Sequence, residues 1–424
     1  MNAEQWKNPL PKYKMNVMFH RWPSDLDAAI DAFESFHFAG VVTNVPPDDG
    51  FTENKHNLNR FREIVEKMQE RGLEYWIYDE NGYPSGQAGG QTIRGRKDLV
   101  AKGLYMRKYE AFEEKLDFEY IVDGVSDGIV CAMKYKMDLS DVCEARILFD
   151  TAQEMPCSVR RMRVLLEPSE VCYIFICKDA YEGSHSVHNI SSRNRYINIL
   201  SDSAVKRFIE VAYKPVAETA EKAFSGCSGV FTDEPSLMTS YAREKETFNY
   251  ALVPYEEKLF DKFFAEYGYD IKKYLPLLFE TTSEKCRQVR VDFYELIGKV
   301  VGEVYTGQLN DYCLAHGTRF SGHYLAEETV LEHVLYYGNY VKVLCRSGYP
   351  GMDILKCTPE DFEFNAPKFL EMISRKTGSN GFMVELCPFF NLEVFNRKPF
   401  ENVIGTLSLL YMNGARKIHT YYLP

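Results

Sequence analysis

A chain of 424 residues with 45% hydrophobic composition can bury a full-sized core and carry one smaller subdomain without staples. Its formal net charge of −11 argues against nucleic acid and anionic membranes as partners, because their phosphate fields repel such a surface on average. Aromatic residues make up 14% of the chain, which suits stacking on the apolar faces of rings, although most of them belong to a core of this size.

The eleven cysteines are scattered and contain no CxxC pair, so neither a zinc ribbon nor a disulfide framework is expected. The opening residues Met1 to Lys7 lack an apolar run, and no later segment approaches a membrane span. A reducing, cytoplasmic location is the expectation.

Apolar runs alternate with helical patterns, the rhythm of a parallel sheet with helical crossovers. The first three strands are expected at Met15 to Phe19, Gly40 to Val45 and Leu73 to Asp79, with amphipathic helices at Asp25 to Phe36 and Asn57 to Arg71 between them. From Asp117 to Leu200 the period changes to two. Segments Glu119 to Val122, Ile129 to Lys136, Ala145 to Phe149, Met162 to Leu166 and Val171 to Cys177 predict an inserted antiparallel β subdomain after the third strand. Helix resumes at Ser203 to Phe224, with a kink at Pro215. The fourth strand is Gly229 to Thr232, followed by a helical stretch from Tyr255 to His316 interrupted at Leu275-Pro276. Strands five to eight are Arg319 to Tyr324, Gly351 to Leu355, Gly381 to Leu386 and Arg416 to Tyr422. Eight such units predict an α/β (β/α)₈ TIM barrel, with residues 1–116 and 201–424 as its halves and 117–200 as the insertion. No eighth helix follows, which suggests a piece of a longer protein.

In such a barrel the site lies at the C-terminal ends of the strands. Standing there are His20, Arg21, Asn44, Asp79, Glu80, Asp233, Glu234, His323, Glu327, Glu328, Asp353, Glu385, His419, Tyr421 and Tyr422. A rim this rich in carboxylates fits glycoside hydrolysis, which needs one protonated carboxyl group to assist the leaving oxygen and one ionised group as nucleophile or base. Glu234 follows an apolar strand and precedes Pro235, and Glu385 stands in the apolar run Phe382 to Leu386, where an ionisable residue is costly unless paired or functional. These two are the expected catalytic pair.

The loop from Asp79 through Gly90 is glycine-rich but lacks the lysine and spacing of a P-loop, so Asp79, Glu80 and Tyr83 are expected to position a sugar. His20, Asp233, His323, Glu327, Asp353 and Tyr422 complete the expected substrate contacts. His323 has no companion at zinc-ligand spacing. Any metal would be a hard cation such as Ca²⁺, held by Glu327, Asp353 or Asp233. Two alternatives stand beside the hydrolase. One is a non-catalytic carbohydrate-binding barrel, and the other a metal-dependent lyase or hydrolase using His323, Glu327 and Asp353.

The segments Tyr78-Asp79-Glu80-Asn81-Gly82-Tyr83-Pro84-Ser85-Gly86, Thr232-Asp233-Glu234-Pro235 and Gly322-His323 through Glu327 resemble glycoside hydrolase family 106, the α-L-rhamnosidases and their bacterial relatives. The resemblance runs from about Lys14 to the end, outside the β insertion. It implies a (β/α)₈ catalytic domain followed by β-rich domains, inverting hydrolysis of a terminal sugar by two glutamates with Glu234 as general acid, a glycoside or oligosaccharide substrate, and a calcium ion. Glu327 or Asp353 could replace Glu385 as the second catalytic group.

Overall fold

The computed structural model describes residues 9–47, 50–141, 145–180, 195–238, 252–281, 283–355, 357–387 and 399–421. In chain order the strands are β1 (Asn16–Met18), β2 (Gly40–Thr43), β3 (Glu74–Tyr78), β4 (Lys102–Ala111), β5 (Leu116–Ile121), β6 (Gly128–Asp138), β7 (Arg146–Glu154) and β8 (Arg161–Leu166). They continue with β9 (Glu170–Asp179), β10 (Val230–Asp233), β11 (Val253–Tyr255), β12 (Phe320–His323), β13 (Gly351–Ile354), β14 (Phe382–Leu386) and β15 (Ala415–Tyr421).

Eight of these strands form a parallel sheet in the order β12-β10-β3-β2-β1-β15-β14-β13. Most of their residues are buried on both faces, which is why they read in the sequence as short continuous apolar runs. The sheet curls until its two ends meet. The Tyr349 N–H donates to the Phe320 carbonyl at 3.0 Å, and a Cβ on Gly351 would lie 2.5 Å from the Gly322 oxygen, so only glycine permits this approach. The result is a nearly closed, TIM-barrel-like cylinder whose seam runs between β12 and β13.

Helices wrap the cylinder. Leu26–Ser35 is capped by the Asp25 side chain accepting from the Ala28 N–H, and Lys55–Glu70 by Asn54 accepting from the His56 N–H. The second buries Leu58, Phe61, Ile64, Val65 and Met68, the i, i+3, i+4 stripe of a core-facing helix. Near Pro215 the helical path widens into a π turn at Ile209–Tyr213 before Lys214–Thr219, and the proline falls in the first turn of that last helix, where its missing N–H costs little. Pro276 lies in a 3₁₀ segment, Ile271–Leu278, that separates Leu259–Tyr267 from Cys286–Val301. Among the described residues no helix is long and apolar enough to cross a membrane.

An antiparallel sheet of order β11-β4-β9-β6-β7 faces the two-stranded pair β5-β8. Tyr105, Ile129, Met162, Val164, Cys172 and Ile174 fill the space between them. The other face of the larger sheet packs on the 3₁₀ segment, with the Tyr135 hydroxyl donating to the Lys273 carbonyl at 3.0 Å. This sheet begins at Lys102, ahead of the expected start at Asp117, and takes a further strand from Val253–Tyr255, which pairs with Lys102 to Leu104. Neither strand announces itself by alternation. β4 is buried on both faces from Gly103 to Tyr105 and exposed only at Arg107 and Lys108 in its middle, and β11 is only three residues long.

Candidate active site

Side chains at even positions of β3 face the barrel axis: Glu74, Trp76 and Tyr78. The middle of the cylinder is plugged by Met18, Val42, Trp76, Tyr78, Phe231, Tyr349 and Met383. His419 is held among them, its ring centroid 4.6 Å from that of Trp76 and 6.0 Å from that of Phe231. Burial pushes its pKa down to about 3, so it is a neutral core residue. Below this plug the Lys417 ammonium meets the Glu74 carboxylate at 2.7 and 2.5 Å.

Above the plug, at the strands' C-terminal ends, carboxylates surround one buried imidazole. His323, the last residue of β12, brings Nε2 to 3.2 Å from Asp233 Oδ1 and 3.1 Å from Glu385 Oε2, and Nδ1 to 3.4 Å from Glu327 Oε1. The contact with Glu385 passes through the barrel interior, because β12 and β14 are not neighbours in the sheet. Burial alone would lower the His323 pKa, but the three carboxylates outweigh it and hold the ring well above its ordinary value, as an imidazolium. The Tyr78 hydroxyl donates to Asp233 Oδ2 at 2.6 Å, and Tyr421 hydrogen-bonds to Glu385.

Asp353 stands in register with Glu385 on the adjacent strand. Burial, then the neighbouring Glu385 charge, raise its pKa well above the usual carboxylate range, and its Oδ1 meets no hydrogen-bond partner among the described residues. Glu327 Oε1 accepts both the Tyr324 N–H at 3.1 Å and the Asp353 N–H at 3.2 Å, so one carboxylate ties the β12 side of the seam to the β13 side. Glu234 follows β10 with φ of 46°, a left-handed conformation unusual outside glycine, and is half-buried. Its N–H donates to the His323 carbonyl at 3.3 Å. One ligand-type atom from each of Asp233, Glu234 and His323 lies within 4.8 Å of the other two. His20 adjoins this group, with its ring edge-on to Tyr78 at 4.9 Å and Nδ1 3.3 Å from Asn44 Oδ1, and burial lowers its pKa.

Two of the expected sugar contacts have their carboxylates occupied elsewhere. Asp79 faces outward to the helix layer, where the Ser85 hydroxyl donates to Oδ1 at 2.5 Å and the Tyr213 hydroxyl to Oδ2 at 2.6 Å. Burial raises its pKa to about 8. Glu80 is fully buried and accepts five backbone N–H groups, from Asn81, Gly86, Gln87, Ala88 and Gly89, at 2.7 to 3.1 Å. Burial raises its pKa to about 7, against the lowering by those donors. The glycine-rich loop is therefore wrapped around a carboxylate of its own. Tyr83 is half-buried within that loop, in a cis Tyr83-Pro84 peptide, and Tyr422 lies outside the described residues.

Sequence reasoning passed over Tyr78, Ser85 and Tyr213. Strand alternation carries a signal for the first: if Trp76 faces the axis then so does Tyr78, and Asp79 faces away. Ser85 lies inside the segment that carries the family resemblance, but nothing local marks its role, and Tyr213 has no local signal.

No protein-family model and no curated protein matches this sequence. Among solved structures, a rhamnosidase from Novosphingobium sp. PP1Y superposes with a TM-score of 0.59 at 10% identity, covering 99% of this chain and 56% of that one. A pyruvate kinase from Cryptosporidium parvum gives a TM-score of only 0.30 at 9% identity, over 99% of this chain and 68% of that one, too loose to bear on the fold. The chain thus spans just over half the length of the rhamnosidase, and at this identity the likeness is one of fold.

Proposed function

We propose that this barrel is a glycoside hydrolase, related to the family 106 α-L-rhamnosidases, that cleaves a terminal sugar from a glycoside or oligosaccharide. The observation that carries the reading is the ring of carboxylates around His323, with Glu234 held at the rim by a left-handed backbone and Glu385 deeper on β14. Glu234 is assigned as general acid. Glu385, which accepts from His323 and Tyr421, is assigned as nucleophile or base. Asp233, Glu327, Asp353 and His20 are assigned to substrate hydroxyls. The rhamnosidase-like fold supports the glycosidase reading, and the strands from β4 to β9 together with β11 are proposed to be a separate subdomain.

The test is a screen of aryl glycosides followed by Glu234→Gln. The variant is expected to keep sugar affinity and lose about 10²- to 10⁴-fold in turnover on a substrate with a poor leaving group, with a much smaller loss on an activated aryl glycoside. Equal losses on both substrates would move the acid role to another residue.

The grouping of Asp233, Glu234 and His323 favours one second reading, a metal-dependent hydrolase or lyase. Calcium fits these residues poorly. It takes roughly six to eight oxygen ligands, whereas the grouped residues offer two carboxylates and one imidazole nitrogen. Metal analysis of the purified protein separates the two readings.

A further inference from the structure

We propose that Ser85 and Asp79 are positioning residues for Glu234, with Ser85 acting in place of a β-strand partner for the Asp233 peptide. The assignment of Glu234's chemistry rests on the glycosidase reading, but the mechanical coupling does not.

β10 pairs with β3 through Val230 with Ile77 and Phe231 with Tyr78, and the Asp79 N–H adds a bond to the Phe231 carbonyl at 3.0 Å. Beyond Asp79 the chain leaves the sheet into the glycine-rich loop, so the next peptide of β10 would lose its partner on that side. The loop returns to supply one. The Ser85 N–H donates to the Asp233 carbonyl at 2.7 Å, and the Asp233 N–H donates to Ser85 Oγ at 2.8 Å. With Oγ accepting from Asp233, its own proton is directed at Asp79 Oδ1, 2.5 Å away. Asp79 is fixed in turn by Tyr213 from the π turn.

Ser85 cannot drift, because Glu80 gathers the N–H groups of the residues that follow it and the Tyr196 hydroxyl donates to the Ser85 carbonyl. Both ends of the Asp233 residue are therefore clamped immediately before the residue that takes φ of 46°. A left-handed non-glycine residue persists only where its surroundings over-determine it, and this clamp supplies one side of that constraint. The other side is the Glu234 N–H bond to His323. The direction of the Glu234 carboxyl thus depends on a hydroxyl and a carboxyl that face away from the barrel axis.

The experiment compares Ser85→Ala, Asp79→Leu and the conservative Asp79→Asn, which keeps an acceptor for the Ser85 hydroxyl. Each is checked for fold by circular dichroism and melting. Amide hydrogen exchange on peptides covering residues 230–236 is the readout that needs no substrate. Ser85→Ala and Asp79→Leu are expected to speed exchange at Asp233 and Glu234 by about tenfold or more, leaving β14 and β15 unchanged, while Asp79→Asn stays near the wild type. On glycosides, the first two variants are expected to lose on the order of 10- to 10²-fold with a poor leaving group, the scale of a small misplacement of a catalytic group. With an activated aryl leaving group the loss is expected to stay below about threefold.

Unchanged exchange at Asp233 and Glu234 in variants that fold would overturn the clamp. If Ser85→Ala does not fold, the pair Asp79→Leu and Asp79→Asn decides. Failure of the glycosidase reading looks different: no glycoside is turned over by the wild type, while the exchange result still stands or falls by itself.

Discussion

Replacing His323 by glutamine removes the only positive charge among the described carboxylate neighbours Asp233, Glu327 and Glu385. At the separations of 3.1 to 3.4 Å, Coulomb's law with an effective dielectric near 20 gives about 5 kcal/mol per contact before desolvation. Breaking a buried ion pair by removing one partner costs roughly 3–5 kcal/mol net, and that is the expected loss. For 424 residues at about 2.1 cal/mol/K each, the unfolding entropy is about 0.9 kcal/mol/K, so the melting temperature should fall by about 3–6 °C if the chain unfolds as one unit. Because the folded pKa of His323 is raised, its stabilisation is full below about pH 6.5, declines above it and is gone once pH passes the folded value. Scanning calorimetry of both proteins at pH 6.5 and pH 9.5 should therefore show the gap at the lower pH and a smaller one at the higher. Equal melting temperatures at pH 6.5, or a gap indifferent to pH, would refute the buried imidazolium.

Glu80→Gln places an amide where a carboxylate accepts five N–H groups, and should cost about 2–4 kcal/mol and open the loop from Asn81 to Gly89 to limited proteolysis. Asp79 has a folded pKa raised to about 8 by burial, so it binds its proton more tightly folded than unfolded. Its contribution should erode stability as pH rises from about 4 to about 8, and Asp79→Asn should flatten that part of a melting-temperature profile. Gly322→Ala would put a Cβ 2.0 Å from the Thr232 carbonyl oxygen at a φ of +115°, and should cost about 3 kcal/mol or more, read as lost soluble yield and a lower melting temperature.

The eight barrel strands were legible because a parallel strand buried on both faces is a short apolar run, as in Val230–Asp233 and Phe382–Leu386. The polar residues at their ends were legible for the same reason: Asp233, His323, Asp353 and Glu385 interrupt or close such runs. What escaped was parity. Asp79 and Tyr78 are adjacent, and choosing the ionisable one over the one in phase with Trp76 put the carboxylate on the wrong side of the sheet. The role of Glu80 escaped for a different reason. Its five donors are main-chain groups of glycine, alanine, glutamine and asparagine, which carry no signature as partners of an acid. β4 and β11 were missed because one lacks alternation and the other lacks length.

The seam between β12 and β13 places a carboxylate where the rest of the cylinder has main-chain ladders. Glu327 Oε1 is shared among the Tyr324 amide, the Asp353 amide and the His323 ring. Any molecule that draws on His323 or Glu327 competes for that oxygen, so the nitrogen-15 chemical shifts of the Tyr324 and Asp353 amides become built-in gauges of occupancy. The cylinder then has a stave whose fastening loosens or tightens with its contents, and a titration followed at those two resonances would detect a weakly bound ligand without any turnover.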